Sequence, residues 1–239
     1  MSEMIISKET MRRVLSDVKD IYKNPLNDNG IYYKHDEDNI LKGYAMIVGP
    51  SDTPYQYGFY FFTINFPGNY PFQPPKVEFQ QNPYNTRFHP NFYRNGKVCL
   101  SLLNTWRGEQ WTSCQTLSSI LLTICSVMTK DPLINEPGIT VNHRDNIPFN
   151  KIITYQNFNF SIIDMILNNN ISSRFKIFNE DIIECYKKNK LKIEELLNKL
   201  LEKYEEELLL RTGIYNMNIP VNYKNIKLKY DTIKKNIKV

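Results

Sequence analysis

Between Gly30 and Phe79 the apolar runs follow one another so closely that no helix fits between them. Residues 44–48 (Tyr-Ala-Met-Ile-Val) lead into Gly49-Pro50-Ser51-Asp52-Thr53-Pro54-Tyr55, a connection made of backbone breakers. Residues 59–66 form a second run of aromatic and β-branched side chains, interrupted by Pro67-Gly68, and Val77-Glu78-Phe79 follows Pro74-Pro75. Parallel strands need a crossover of a dozen or more residues, whereas antiparallel neighbours are joined by short turns. The spacing therefore predicts an antiparallel meander. A hydrophobic content of 41% and an aromatic content of 13% supply it with a core and exclude a disordered chain.

Helical periodicity brackets this region. Met11, Val14, Leu15, Val18, Ile21 and Tyr22 recur at helical spacing, with Ser7 placed to cap the start, Glu9 in the first turn and Asn24-Pro25 to end it. Arg12 and Arg13 then fall on the solvated face. Leu117, Ile120, Leu121, Ile124 and Met128 predict a second helix, and a third is expected over about residues 152–167. In the last third Ile193, Leu196, Leu197, Leu200, Leu201, Tyr204 and Leu208 make one apolar stripe, closed by Gly213, which predicts a long helix packed on the core. Residues 80–112 show little periodicity, and an irregular stretch of that length inside a compact domain usually serves a function.

Several function classes are excluded. No window of eighteen apolar residues exists, and the N-terminus lacks the basic and apolar segments of a secretory signal, so a cytoplasmic or nuclear protein without a membrane partner is expected. Cys99, Cys114, Cys125 and Cys185 form no Cys-x-x-Cys and no Cys/His knuckle, which points away from structural zinc and, in a reducing compartment, from disulfides. Cys125, within the apolar run 120–128, and Cys185 read as inert buried thiols. The net charge of +5 is spread along the chain, without the basic stripe of a nucleic-acid reader; the Lys-rich segment 224–238 reads as a solvated tail.

The strip His89-Pro90-Asn91-Phe92-Tyr93-Arg94-Asn95-Gly96-Lys97-Val98-Cys99-Leu100 carries chemistry. It sets one thiol just after a tight Asn-Gly turn, with a Pro-Asn pair upstream. A nucleophile at a defined edge and an amide beside it are the parts of an acyl-thioester carrier. His89 reads as a packing and turn residue; neither it nor His143 stands in the context of a Cys-His hydrolase.

That strip resembles the active site of the ubiquitin-conjugating enzymes, whose His-Pro-Asn is followed by the catalytic Cys eight residues after the Asn, the interval that separates Asn91 from Cys99. Gly49-Pro50-x-x-Thr53-Pro54-Tyr55 is similar to the family's loop after its second strand. Phe66-Pro67-x-x-Tyr70-Pro71-Phe72-x-Pro74-Pro75-x-Val77-x-Phe79 is similar to its proline-rich connection, and Trp111-Thr112-Ser113 through Met128 to its central helix. The loop Thr105-Trp106-Arg107-Gly108-Glu109-Gln110-Trp111 and the strip Asn135-Glu136-Pro137-Gly138 resemble the long-tailed members. Ser101 stands where many members carry an acid, and extra residues flank the thiol on both sides.

The resemblance implies an α+β fold with an N-terminal helix, a four-stranded antiparallel meander and then helices. The conjugating domain is expected over 5–170 and a helical C-terminal extension over 171–239. It implies an acyltransferase that accepts ubiquitin or a ubiquitin-like modifier from an activating enzyme as a thioester on Cys99, and passes it to a lysine or a ligase. No cofactor is implied, ATP being consumed by the upstream activating enzyme. Asn91 is implied as an oxyanion donor or a loop-structuring amide, and Glu136 as the carboxylate that orients the attacking lysine. Arg12 and Arg13 are implied contacts of the activating enzyme, and Phe72 of ligases. The alternative is a catalytically silent module of the same fold that binds ubiquitin or acts as a scaffold; such a variant is marked by loss of the thiol, which is present here.

Overall fold

The computed structural model describes residues 6–80, 85–167 and 171–236. The chain start, part of the extra segment before His89 and the expected domain boundary at 168–170 lie outside it. Helix α1 (Lys8–Lys23) begins where the sequence places it, Ser7 Oγ accepting from the Thr10 N–H at 3.0 Å. Val14, Val18 and Ile21 are buried, whereas Leu15 and Tyr22 at the margins of the stripe are exposed.

Four strands follow, β1 (Ile31–His35), β2 (Lys42–Val48), β3 (Phe59–Asn65) and β4 (Lys76–Phe79), paired antiparallel in chain order. Ile31, Ile47 and Tyr60 lie in register, as do Tyr32, Met46 and Phe61, so these two sets occupy opposite faces. Residues 43–47 of β2 and 59–64 of β3 are all buried, the pattern of a sheet covered on both sides. α2 (Leu117–Val127) starts at a capping box between Thr116 and Ser119. α3 (Asn146–Gln156) begins six residues earlier than the sequence suggested and runs into a π-helical stretch (Asn157–Asp164), whose Asn157 Oδ1 accepts from Tyr60 Oη at 2.6 Å. The helix predicted over 152–167 thus falls on the end of α3 and on this π-helical stretch.

The second face of the sheet is covered by the C-terminal extension. Phe175 packs edge-on to Tyr44 at 5.6 Å and against Phe61 at 5.0 Å. From α4 (Asn179–Lys203), Asp181 pairs with Lys34 at 3.1 Å and Cys185 Sγ lies 3.1 Å from Tyr32 Oη. The extension is not wholly helical. Leu208 leaves the predicted stripe for a hairpin, β5 (Leu208–Thr212) with β6 (Met217–Val221), before α5 (Tyr223–Asn236). Tyr204 caps α4 in a non-helical conformation and ends it there. The Lys-rich segment is not a solvated tail: Ile226, Tyr230 and Ile233 of α5 are fully buried. Among the described residues no helix is long and apolar enough to cross a membrane.

If the extension is part of the fold, Phe175→Ala opens a cavity between it and the sheet and destabilises the chain by about 3–4 kcal/mol. Urea unfolding measures this; a loss below about 1 kcal/mol would show that the extension does not dock there.

Candidate active site around Cys99

The thiol is positioned by a short chain of backbone and side-chain hydrogen bonds. Tyr93 to Gly96 close a turn, Gly96 N–H donating to Tyr93 O at 2.9 Å with Gly96 at φ +88°, and Tyr93 N–H donates to Lys97 O at 2.8 Å. The turn anchors to the sheet edge, where Phe79 N–H donates to Gly96 O at 2.8 Å. Cys99 N–H donates to Asn91 O at 2.9 Å, and the Asn91 amide donates back to Cys99 O at 2.6 Å. This reciprocal clamp fixes the strip before the thiol against the strip that carries it. Beyond Cys99, Thr105 Oγ1 accepts from Leu100 N–H and donates to Val98 O, each at 2.9 Å.

Asn91 is thus a structuring amide in this state. An amide group carries two N–H bonds, and only one is committed to Cys99 O. His89 is not a base in waiting. Its Nδ1 accepts from Asn91 N–H at 3.0 Å, so Nε2 carries the proton and donates to Val127 O at 2.9 Å. Burial, with the Arg87 charge adding, holds the imidazole down to about 3, and it stays neutral.

One expectation is corrected: Cys99 is not open to solvent but only 2% exposed. The Tyr93 phenol's pKa is raised by burial and then by the neighbouring Cys99 thiol. The Arg87 guanidinium lies 3.7 Å from the centre of the Tyr93 ring and 4.9 Å from that of Tyr215. Tyr215 Oη in turn donates to Glu136 Oε2, and the phenol's pKa is raised by burial and then by this carboxylate. An unbroken series, Cys99–Tyr93–Arg87–Tyr215–Glu136, links the thiol to the acidic loop. Glu136 is therefore not a free solvated acid.

The structure separates the two arginines. Arg12 is exposed, as expected. Arg13 is not on the solvated face: it pairs with buried Asp17 at 2.9 Å and donates to the carbonyls of Ser113, at 2.6 Å, and of Gln115. Asp17 also accepts from Tyr70 Oη and, at 3.3 Å, from Leu117 N–H. A buried carboxylate requires a counter-charge, and Arg13 supplies it. Phe72 is 63% exposed and free to meet a partner. Cys125 is half-buried, less enclosed than expected, and Cys185 is buried. A depression of about 600 Å3 walled by Asn104, Thr105, Trp106, Arg107 and Pro137 lies between the loop after the thiol and the Glu136 loop.

Arg87 and Tyr215 were not singled out from sequence. Arg87 sits among the extra residues before His89, and Tyr215 is remote in the chain. A hairpin signal was nevertheless present, an apolar run before Gly213 and an alternating run after Asn216.

A four-stranded meander between these helices, with an Asn clamped to a Cys eight residues on, defines a ubiquitin-conjugating fold. The ubiquitin-conjugating enzyme family model matches residues 13–157, more than half of the chain, and the protein belongs to that family. It is similar to ubiquitin-conjugating enzyme E2 Z of Danio rerio, 40% identical over 163 residues, covering 67% of this chain and 49% of the relative. Identity to E2 Z of Homo sapiens is also 40%, over 161 residues, 66% of this chain and 45% of the relative. A probable ubiquitin-conjugating enzyme, protein 17 of Caenorhabditis elegans, is 45% identical over 120 residues, 48% of this chain and 16% of the relative. The chain spans about half or less of the length of these relatives.

Two outcomes follow from this geometry. His89 takes up a proton at about 6.5 when unfolded but only near 3 when folded, so stability is whole above pH 6.5 and falls as pH drops from there toward 3. The slope is about 1.4 kcal/mol per pH unit. His35 is shifted down by its own burial, so the diagnostic is the difference in urea-unfolding free energy between wild type and His89→Gln at pH 7.5 and 5.5; the variant should lose part of the slope. Separately, Arg13→Ala should cost about 3 kcal/mol by stranding Asp17, whereas Arg12→Ala should stay within about 0.5 kcal/mol, both read by thermal melts.

Proposed function

We propose that the protein carries ubiquitin or a ubiquitin-like modifier as a thioester on Cys99 and transfers it to a lysine or to a ligase. The observation that carries this reading is the reciprocal clamp between Asn91 and Cys99, within a chain of the ubiquitin-conjugating family. The Cys99 thiolate attacks the thioester carbonyl of a charged activating enzyme; the new C–S bond forms as the old one breaks, and the activating enzyme's thiol leaves. One thioester replaces another, so the step needs neither metal nor ATP. In the second step an amine attacks, a C–N bond forms and Cys99 is released. The uncommitted Asn91 N–H is the donor available to the oxyanion, a contribution typically of about 3 kcal/mol. Glu136 is the carboxylate that takes the incoming ammonium, beside the depression at Trp106 and Pro137. Arg12 and Phe72, both exposed, are the surfaces offered to activating enzyme and ligase. A cytoplasmic or nuclear setting accords with these partners.

The burial of Cys99 favours a second reading, a silent module that binds ubiquitin without being charged. Incubation with activating enzyme, ATP and ubiquitin decides between them on a non-reducing gel. A reductant-sensitive adduct one modifier heavier is expected, replaced by a reductant-resistant one in Cys99→Ser. Asn91→Ala should lower transfer about 100-fold. Glu136→Ala should charge normally and discharge slowly to free lysine. A wild-type chain that charges with no modifier, given a panel of activating enzymes, supports the silent module.

A further inference from the structure

Tyr215 reaches the site from outside the conjugating domain, and its position is over-determined. It occupies the left-handed region at φ +63°, followed by Asn216 at +46°, a conformation an aromatic residue keeps only where its surroundings enforce it. Three contacts do so. Asp145, at the start of α3, accepts from Ile214 N–H at 2.8 Å; Thr212 Oγ1 donates to Ile214 O at 2.7 Å; and Arg94 donates to Tyr215 O. Arg94 belongs to the thiol strip itself, so the strip and the hairpin turn hold each other. The ring lies near Phe149 at 6.1 Å, the guanidinium of Arg87 against it.

We propose that Tyr215 is an acceptor-selectivity residue: its phenol takes the place at Glu136 that an attacking ammonium needs, and its ring completes the cover over Cys99. This rests on the carrier reading. A neutral phenol donor occupies the carboxylate by one hydrogen bond. A small free amine must displace it unaided, whereas an acceptor that also engages the hairpin, through a surface of its own, lifts the turn as it docks. Discrimination arises from an interaction that the wrong acceptor has to break. Discharge to a thiol, which carries no ammonium, does not need Glu136 and is insensitive to the phenol.

Two measurements on the full chain test this. In the first, iodoacetamide labelling is followed by peptide mass spectrometry without any charging. Cys99 should label far more slowly than exposed Cys114 in wild type, and Tyr215→Ala should raise the Cys99 rate about tenfold with Cys114 unchanged. An unchanged Cys99 rate overturns the proposal, and so does an increase at Cys99 accompanied by a collapse of the thermal transition. In the second, ubiquitin-charged enzyme is chased with free lysine or with 2-mercaptoethanol, a thiol without an amine. Tyr215→Phe keeps the ring and removes the donor, so discharge to lysine should rise about tenfold while discharge to 2-mercaptoethanol stays the same. The gain should vanish when Glu136→Gln is added. Equal lysine rates in Tyr215→Phe and wild type overturn the proposal. Failure of wild type to charge at all would defeat the carrier reading instead, and the labelling experiment would still decide whether Tyr215 covers the thiol.

Discussion

A sheet that is apolar on both faces must be covered twice. Met46, Phe61 and Tyr44 point away from α1 and α2, and each is buried only because Phe175, Phe178 and α4 lie over them. Leaving such rings in water costs on the order of 1.5–3 kcal/mol apiece, so the extension is held by the same term that forms the core. Once α4 is fixed on the sheet, the chain beyond it has few places to go. The pairing of α4 with α5, through Tyr186 and Tyr230, and the short β5–β6 hairpin set the 213–216 turn beside α3. The contents of the active site are thus decided partly by packing on the far side of the sheet.

That arrangement sets the electrostatics near the thiol. Arg87 is half-buried between two phenol rings and satisfied by the carbonyls of His89 and Pro90, so its charge is committed to shape and not offered to a substrate. The same charge adds to the desolvation that keeps His89 neutral. A neutral imidazole bridging Asn91 to Val127 is a rigid strut from the thiol strip to the end of α2. The site therefore contains a clamp and a strut, with one Asn91 N–H left uncommitted. The exposed groups that remain, Arg12 and Phe72, stand apart from the chemistry.

Much of this was legible in the sequence because short-range signals governed it. Ser7 caps α1, Asn95-Gly96 makes its turn and the apolar runs pair in chain order, each outcome set within a few residues. The misreadings share a cause. Arg13 has the spacing of a solvated residue and is drawn inward by Asp17, whose need for a counter-charge only the tertiary fold creates. Leu208 continues a helical stripe but follows Tyr204, whose ring stacks on Tyr223 at 5.4 Å and takes the chain out of the helix. Cys99 is buried although its own strip is a turn at an edge, and the neighbours of that strip include Tyr215, more than one hundred positions away, whose carbonyl accepts from Arg94.

The strain at Tyr215 is held by the contacts of its turn with α3 and the thiol strip. A left-handed aromatic residue is unfavourable on its own, and the hydrogen bonds from Asp145, Thr212 and Arg94 offset that cost only while the hairpin turn sits against α3 and the thiol strip. The extension thus combines an anchor, α4 on the sheet, with a strained turn whose Tyr215 meets Glu136 and the Arg94 of the thiol strip. The extension in this chain is therefore placed to act as a wall of the active site as well as a lining of the core.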